Sequence, residues 1–371
     1  MARMFRSLPG PAKALLWVRM LNQVGAFALA FLAVVAGPHL VTATLTVFGL
    51  AALASRWAGG VLLDRAAPRT LVVAGLAATG LALLALAAAR TPVQTLAAVA
   101  ATGLAFEVYE PATSELLARV TEGGGRQDAY TVLGTSLTAA GAISGLLATV
   151  LLPLGVRWLL VADALTCLAA ASVALTRLPR EPRRAPAVRE GRWRPPPALV
   201  RLTGAATAYA FGYLAILMFT PFVLLRRGAP AWLPGLTLTA AALLVPAAAY
   251  AARGSLSGRP RTVLLGTAVL ALAMALTGSV VLTVALYLAW AMAGSTLVGH
   301  WPAVAADTAP PQDRPRWFAF LGLSWGVSQP AVPGVVGLVA GLAGGTASAP
   351  LAAAAALAAA PLLLERGGQS R

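Results

Sequence analysis

The sequence predicts an all-α integral membrane protein of twelve transmembrane helices, arranged as two six-helix, pseudo-symmetric bundles around a central cavity. Three observations predict it. Of 371 residues, 59% are hydrophobic and only 11% charged, against about 25% charged in soluble domains. Mean hydropathy is +0.79, and apolar runs of bilayer-spanning length recur along the chain. Arginine and lysine collect in alternate connections between those runs.

Crossing a bilayer core of about 30 Å takes roughly 20 apolar residues in helical form. The first such run, 14–36, follows Arg3, Arg6 and Lys13. It exceeds the roughly 7–15-residue apolar core of a secretory leader, so it is expected to remain as span 1. Span 2 (40–63) ends at Gly59 and Gly60, and a short link carrying Asp64, Arg65 and Arg69 follows. Span 3 covers 70–89, and span 4 (93–117) carries Glu107 and Glu110. Span 5 (130–152) contains Gly141-x-x-x-Gly145, small residues that let helices approach closely. Span 6 (156–176) holds Asp163 and Cys167. An Arg- and Pro-rich linker, 177–198, then separates an N-terminal domain, 1–176, from a C-terminal domain, 199–371. Spans 7 to 12 are read at 199–224, 231–252, 262–278, 281–304, 317–340 and 347–364. Internal Gly and Pro are tolerated better in membrane helices than in soluble ones.

The basic residues set the orientation. With the N-terminus inside, 22 of the 28 Lys and Arg fall in inside segments. Arg90, Arg157, Arg226 and Arg227 fall outside, while Arg19 and Arg56 lie within spans. Both termini are therefore expected in the cytoplasm. The bias also accounts for a net charge of +16 that would suggest nucleic acid in a soluble domain; no nucleic-acid partner is expected. The basic linker reads as a cytoplasmic segment drawn to anionic lipid headgroups, with a protein-docking or nucleic-acid role of that segment as the alternative. Cys167 is the only cysteine, so the chain forms no internal disulfide and has no metal-ligand spacing.

An internal repeat supports the two-bundle reading. Pro68-Arg69-Thr70-Leu71-Val72 recurs as Pro260-Arg261-Thr262-Val263-Leu264, an offset of 192. Glu110-Pro111-Ala112 aligns with Trp301-Pro302-Ala303 at 191, and Leu133-Gly134 with Leu321-Gly322 at 188. Six spans per half make the repeats parallel, with a solute site expected between the halves.

At these residues the chain resembles a known family. Gly60-x-x-x-Asp64-Arg65, with Arg69 beyond, resembles the loop motif between spans 2 and 3 of the major facilitator superfamily. Tyr109-Glu110-Pro111-Ala112-Thr113-Ser114-Glu115-Leu116-Leu117-Ala118 is similar to the fourth-span signature of its drug/proton antiporter-like branch. Trp158-x-x-x-x-Asp163-Ala164-Leu165-Thr166 and Leu321-Gly322-Leu323-Ser324-Trp325-Gly326 have the same look. Two positions depart from the pattern: Ala67 stands where the loop motif has Gly, and Leu146 follows Gly145 where the antiporter branch has Pro. The resemblance implies a cytoplasmic gate formed by Gly60, Asp64, Arg65 and Arg69, with Asp64 near the start of span 11. It also implies a cavity lined by spans 1, 4, 7 and 10. The ungapped repeat equivalent of Asp64 is Leu256, so only one half would carry the latch.

Charges inside a span cost about 2.5–3.5 kcal/mol each on insertion scales and usually face a cavity or a partner. Glu107 and Glu110, three apart, are expected on one helix face, where two adjacent carboxylates should not both ionise easily. They read as a proton-coupling or cation-binding pair, or alternatively as a structural ion pair with Arg19. Arg19, Asn22 and Gln23 share one face of span 1 and could meet them, unless Arg19 snorkels to the surface. Tyr109 joins this group. Asp163 reads as a structural intramembrane acid. His300 and Trp301 stand where the first repeat has Tyr109 and Glu110, offering an imidazole and an aromatic to the cavity or to packing. Tyr209, Phe211, Tyr213, Trp290 and Trp325 are candidates for an aromatic wall or for bundle packing.

No nucleotide-binding glycine loop, nucleophile set or metal cluster is present in the sequence, and His39 and His300 are the only histidines. The chain is expected to be no enzyme, to need no cofactor, and to work as a monomer in the cell membrane. It should move a small-molecule solute, with proton-coupled efflux of amphipathic or drug-like molecules favoured. Metabolite uptake or uniport, and a transporter-like sensor or scaffold, are the alternatives.

Overall fold

The computed structural model describes residues 8–63, 65–120, 124–180, 193–251, 259–298, 300–310, 313–343 and 346–364. All regular structure among them is helical. Spans 1 and 2 lie in α1 (Gly10–Val24) and α2 (Ala28–Leu63), and span 3 is α3 (Pro68–Ala88). Span 4 is divided into α4 (Pro92–Phe106) and α5 (Glu110–Val120). Span 5 is α6 (Gly124–Leu151), and after a 3-10 turn span 6 is α7 (Val156–Arg177). The rest is α8 (Pro197–Arg226), α9 (Leu233–Ala251), α10 (Pro260–Leu276), α11 (Val280–Val298), α12 (His300–Thr308), α13 (Arg314–Ala343) and α14 (Ser348–Leu363).

Among the described residues, eight helical stretches are long and apolar enough to cross a membrane. Two of the apolar runs read from the sequence are interrupted. Span 1 was expected unbroken over 14–36, but α1 stops at Val24 and the chain turns through Gly25 to Phe27. Span 4 was expected unbroken over 93–117, but residues 107–109 form a turn. Gly37, with φ 68° and ψ 175°, is non-helical and divides Ala28–Leu63 into two helices, so a break stands where the link between spans 1 and 2 is expected. A side chain there would be strained, and Pro38 follows it. Large apolar side chains such as Leu81, Val150, Leu165, Leu276, Leu338 and Leu342 are exposed. In a bilayer they would face lipid.

The chain divides into two compact units: Met1–Arg189 with Ala231–Ala242, and Glu190–Pro230 with Leu243–Arg371. In the first, α3 and α7 lie side by side with α1 and α5. Leu15, Leu16, Leu71, Val72, Leu76, Tyr109, Leu116, Ala170 and Ala174 belong to its buried core. Thr239, in the first half of α9, is part of this unit and donates to the Ala142 carbonyl at 3.5 Å. In the second unit, the rings of Trp193 and Phe320 meet edge to face at 6.3 Å.

Helix ends leave carbonyls without intrahelical partners, and away from water each needs a partner within the protein. Among the described residues, arginine does this four times. Arg69 Nη2 donates to the Leu175 carbonyl at the end of α7. Its repeat equivalent, Arg261, donates to the Leu364 carbonyl just past α14 at 2.5 Å. At other helix ends, Arg157 reaches the Ala89 carbonyl at 3.0 Å and Arg227 the Met274 carbonyl at 2.9 Å. The repeated Pro-Arg-Thr therefore marks a repeated clasp: the proline starts the helix and the arginine ties it to the end of a neighbour.

Gly59 of α2 sits against the turn in span 4. A Cβ there would lie 2.8 Å from the Val108 carbonyl oxygen and 3.1 Å from its Cα. Both are backbone atoms with nowhere to go. We expect Gly59→Ala to lower the melting temperature in detergent, by about 1–3 kcal/mol of overpacking, although Gly→Ala normally favours a helix. Gly134→Ala, with open space around its site, should raise or hold it. We also expect Arg69→Gln and Arg261→Gln each to cost about 1 kcal/mol in the same assay, with Arg90→Gln as the neutral control.

Candidate functional site

Pro111 decides the geometry of the site. It has no N–H to give the Glu107 carbonyl, and its ring would clash with that carbonyl in a continuous helix. The helix therefore ends at Phe106, and the Glu110 N–H turns back to the Glu107 carbonyl at 3.2 Å. The new helix starts when Thr113 N–H reaches the Tyr109 carbonyl at 2.9 Å. This corrects the expectation that Glu107 and Glu110 share one helical face: they stand on opposite ends of a turn.

Each carboxylate has its own arginine. Arg19 of α1 is ion-paired with Glu110 Oε2. Arg56 of α2 is paired with Glu107 Oε1 at 3.1 Å. The Glu107 N–H, freed by the turn, donates to Ser55 Oγ at 3.0 Å. Arg19 is thus held in an ion pair inside the unit rather than extended to the surface. Exposure differs within the pairs: the Glu110 side chain is 41% exposed and that of Glu107 15%.

A second polar chain runs from the turn to α7. Tyr109 Oη donates to Asn22 Oδ1 at 2.7 Å, and Asn22 Nδ2 donates to Cys167 Sγ at 3.5 Å. The thiol donates to Asp163 Oδ1 at 3.6 Å. Asp163, buried, accepts from the Phe27 N–H at 3.2 Å through Oδ2. That amide sits in the span 1 interruption, at the start of α2, where a carboxylate is favoured by the helix N-terminus.

These groups surround one cavity of about 290 Å³ within the first unit. Arg19, Asn22, Gln23, Glu107, Tyr109 and Glu110, candidates for the cavity from the sequence, line it together, and Asp163, read there as a structural acid, lines it with them. Arg56, Thr79 and Cys167 line it as well. Arg56 was visible as a charge within span 2; its partner was not, because a residue on a different helix can be matched only in three dimensions. Ala26, Leu83 and Phe106 supply apolar wall.

The remaining candidates lie elsewhere. His300 borders a separate cavity of about 480 Å³ in the second unit. Its ring meets that of Trp301 edge to face at 5.4 Å. Trp301, Tyr209, Tyr213 and Trp290 form a ladder with ring centroids 5.6–6.2 Å apart, and Trp325 meets Tyr213 at 5.5 Å. Tyr209 Oη donates to the Gly294 carbonyl at 3.3 Å. The indole N–H groups of Trp290 and Trp301 are buried without a hydrogen-bond partner among the described residues. In the loop motif, Gly60 lies in the last turn of α2, Arg65 is exposed, and Arg69 clasps α7. Asp64 lies outside the described residues, as does Leu256.

Fold and site define the class: a multi-pass, all-helical membrane protein with a charged cavity inside a helical unit. The chain belongs to the Major Facilitator Superfamily, whose family model matches residues 2–299. It is accordingly a membrane transporter and not an enzyme. Solved structures agree on the fold. A POT family transporter in complex with 5-aminolevulinic acid aligns with a TM-score of 0.77 at 12% identity, over 97% of this chain and 98% of that one. A bacterial homolog to the human lysosomal transporter Spinster gives 0.70 at 14%, over 95% and 93%. The human organic anion transporter TETRAN gives 0.67 at 15%, over 96% and 100%. No curated protein sequence matches the chain.

The Arg56–Glu107 pair is half-buried, so its coupling should fall between an exposed pair at up to about 1 kcal/mol and a fully buried one at several. A double-mutant cycle of Arg56→Gln and Glu107→Gln, read by unfolding in detergent, should give a coupling energy of about 1–2 kcal/mol. Additive single effects would show that the pair does not brace the turn.

Proposed function

We propose that this chain is a proton-coupled secondary transporter that exports small amphipathic or drug-like molecules by alternating access. Two six-helix halves, 1–176 and 199–371, joined by the basic linker 177–198, rock about the solute, in the cell membrane with both termini cytoplasmic. The protein works as a monomer. Asp64, with Gly60 and Arg65, latches the cytoplasmic gate.

The observation that carries this reading is the pair of Arg–Glu contacts at the span 4 turn, inside a cavity. A carboxylate in such a place is tolerated because a guanidinium faces it. A proton arriving at Glu110 neutralises it and leaves Arg19 without its counter-charge, so Arg19 must find another partner. The protonated and deprotonated forms then differ in what ties α1 to α5, which is the differential contact a two-state switch requires. Glu110, the more exposed acid, is the loading group. Glu107, held by Arg56, fixes the turn. Phe106, Leu83 and Ala26 seat the apolar part of the solute. The efflux direction rests on the fourth-span resemblance over Tyr109–Ala118.

A second reading is favoured by the charge pattern itself. Two guanidiniums and three carboxyl groups line the cavity, which suits a zwitterionic metabolite offering an ammonium to Glu110 and a carboxylate to Arg19. One solved relative of the same fold is a complex with 5-aminolevulinic acid, an amino acid of that kind. Uptake by symport would follow.

In proteoliposomes, substrate-driven proton movement should fall by at least about tenfold in Glu110→Gln, the loss expected when a proton-transfer group is removed. If Glu107→Gln combined with Glu110→Gln leaves that movement intact, the coupling assignment is wrong. Reversing the imposed proton gradient separates the two readings: solute that follows the protons inward marks a symporter.

A further inference from the structure

The cavity of about 480 Å³ in the second unit has a different character from the first. It lies where one end of that unit gathers the starts of α8, α10 and α13 against one side of α12, with the last residue of α14 and the one just past it. Three guanidiniums line it, from Arg201, Arg259 and Arg261, together with the His300 imidazole. No carboxylate lines it among the described residues. Arg261 is anchored to the Leu364 carbonyl, which fixes one positive charge in the wall. Pro260, Arg261 and Thr262, the first turn of the 17-residue helix α10, line the same space, which places the positive end of a helix at the cavity. Leu202, Trp317 and Leu363 supply apolar lining, the first two of them buried.

A concentration of guanidiniums around a helix N-terminus is suited to a phosphate, which accepts several charge-assisted hydrogen bonds at once. The apolar lining is suited to an attached hydrocarbon or ring, and a bare anion has no use for it. We propose that this cavity binds the phosphate-bearing headgroup of an anionic amphiphile, with an anionic phospholipid of the surrounding leaflet as the occupant. Arg201 and Arg259, both exposed, grip the phosphate; Arg261 and the start of α10 fix its position; Trp317 and Leu363 hold the first carbons of the tail. The site ties five helices of the second unit together, so occupancy couples the lipid composition of that leaflet to the stability of the unit. By the arginine bias this is the cytoplasmic leaflet, where basic pockets between helices meet anionic headgroups.

The test uses the purified full-length protein in an uncharged detergent, titrated separately with short-chain phosphatidylglycerol, short-chain phosphatidylcholine and inorganic phosphate. Binding is followed by native mass spectrometry and by the rise in melting temperature that a ligand of the folded state produces. Phosphatidylglycerol should bind saturably and raise the melting temperature, while phosphatidylcholine should do neither. Arg201→Gln/Arg259→Gln should weaken phosphatidylglycerol by about thirtyfold, as loss of two basic contacts predicts. Arg261 is left intact because it also clasps a helix end. Arg90→Gln/Arg226→Gln removes the same charge away from the cavity and should change the affinity by less than about twofold. Equal loss in both double variants, or equal binding of the two lipids, would overturn the proposal. Inorganic phosphate binding as tightly as phosphatidylglycerol would also overturn it, by making the site one for a free anion. No transport is measured, so the outcome is independent of the coupling experiment.

Discussion

A proline in the middle of a membrane-length helix sets the terms for the first unit. Pro111 cannot serve the Glu107 carbonyl, and backbone groups released in an apolar medium cost several kcal/mol each when left unpaired. The turn and its surroundings meet that cost. The Glu110 N–H donates to the Glu107 carbonyl and Ser55 takes the Glu107 amide, while Gly59 lets α2 press against the Val108 backbone. Opposite, the interruption in span 1 is met by Asp163 on the Phe27 amide. Polar residues are tolerated in these helices because the breaks need them. Asp163 and Glu107, once gathered at the breaks, also line the cavity, so structural need and chemical opportunity share an origin there.

Arginine performs separate tasks with one side chain. Its distribution between alternate connections carries the orientation signal. Four arginines satisfy helix-terminal carbonyls, a duty for which a planar fork with several donors is better shaped than a single ammonium. Two more neutralise the acids at the turn. Arg157 and Arg227 run against the charge bias, and each has a carbonyl to explain its place.

The two units keep the same frame and differ in chemistry. The helix-end clasp is retained, Arg69 in one and Arg261 in the other, as is the proline at 111 and 302. What lies next to the proline has diverged, from Glu110 to Trp301. The first unit encloses a cavity lined by two guanidiniums and three carboxyl groups, whereas the second sets tilted aromatic rings side by side and gathers guanidiniums at one end. Frame positions answer to backbone hydrogen bonding, which is the same in both repeats. Cavity positions answer to ligands.

Much of this was legible in the chain alone. Apolar runs, the arginine bias and the repeat depend on local composition and spacing, and they determined a helical, multi-pass protein and where its helices lie. The same reading picked out Arg19, Asn22, Gln23, Glu107, Tyr109, Glu110 and Asp163, because polar groups in apolar runs stand out by type. It treated spans 1 and 4 as continuous, although Pro111 carried the signal for a break; proline is common enough in membrane helices that its effect depends on whether neighbours can satisfy the freed groups. Only the tertiary structure decided that they can. It assigned Arg56 to Glu107 and Arg19 to Glu110, joined Asn22 to Asp163 through Cys167, and turned Arg69 from a loop charge into a clasp on α7. Each of those is a contact between helices distant in sequence, and no periodicity encodes the rotation of one helix against another.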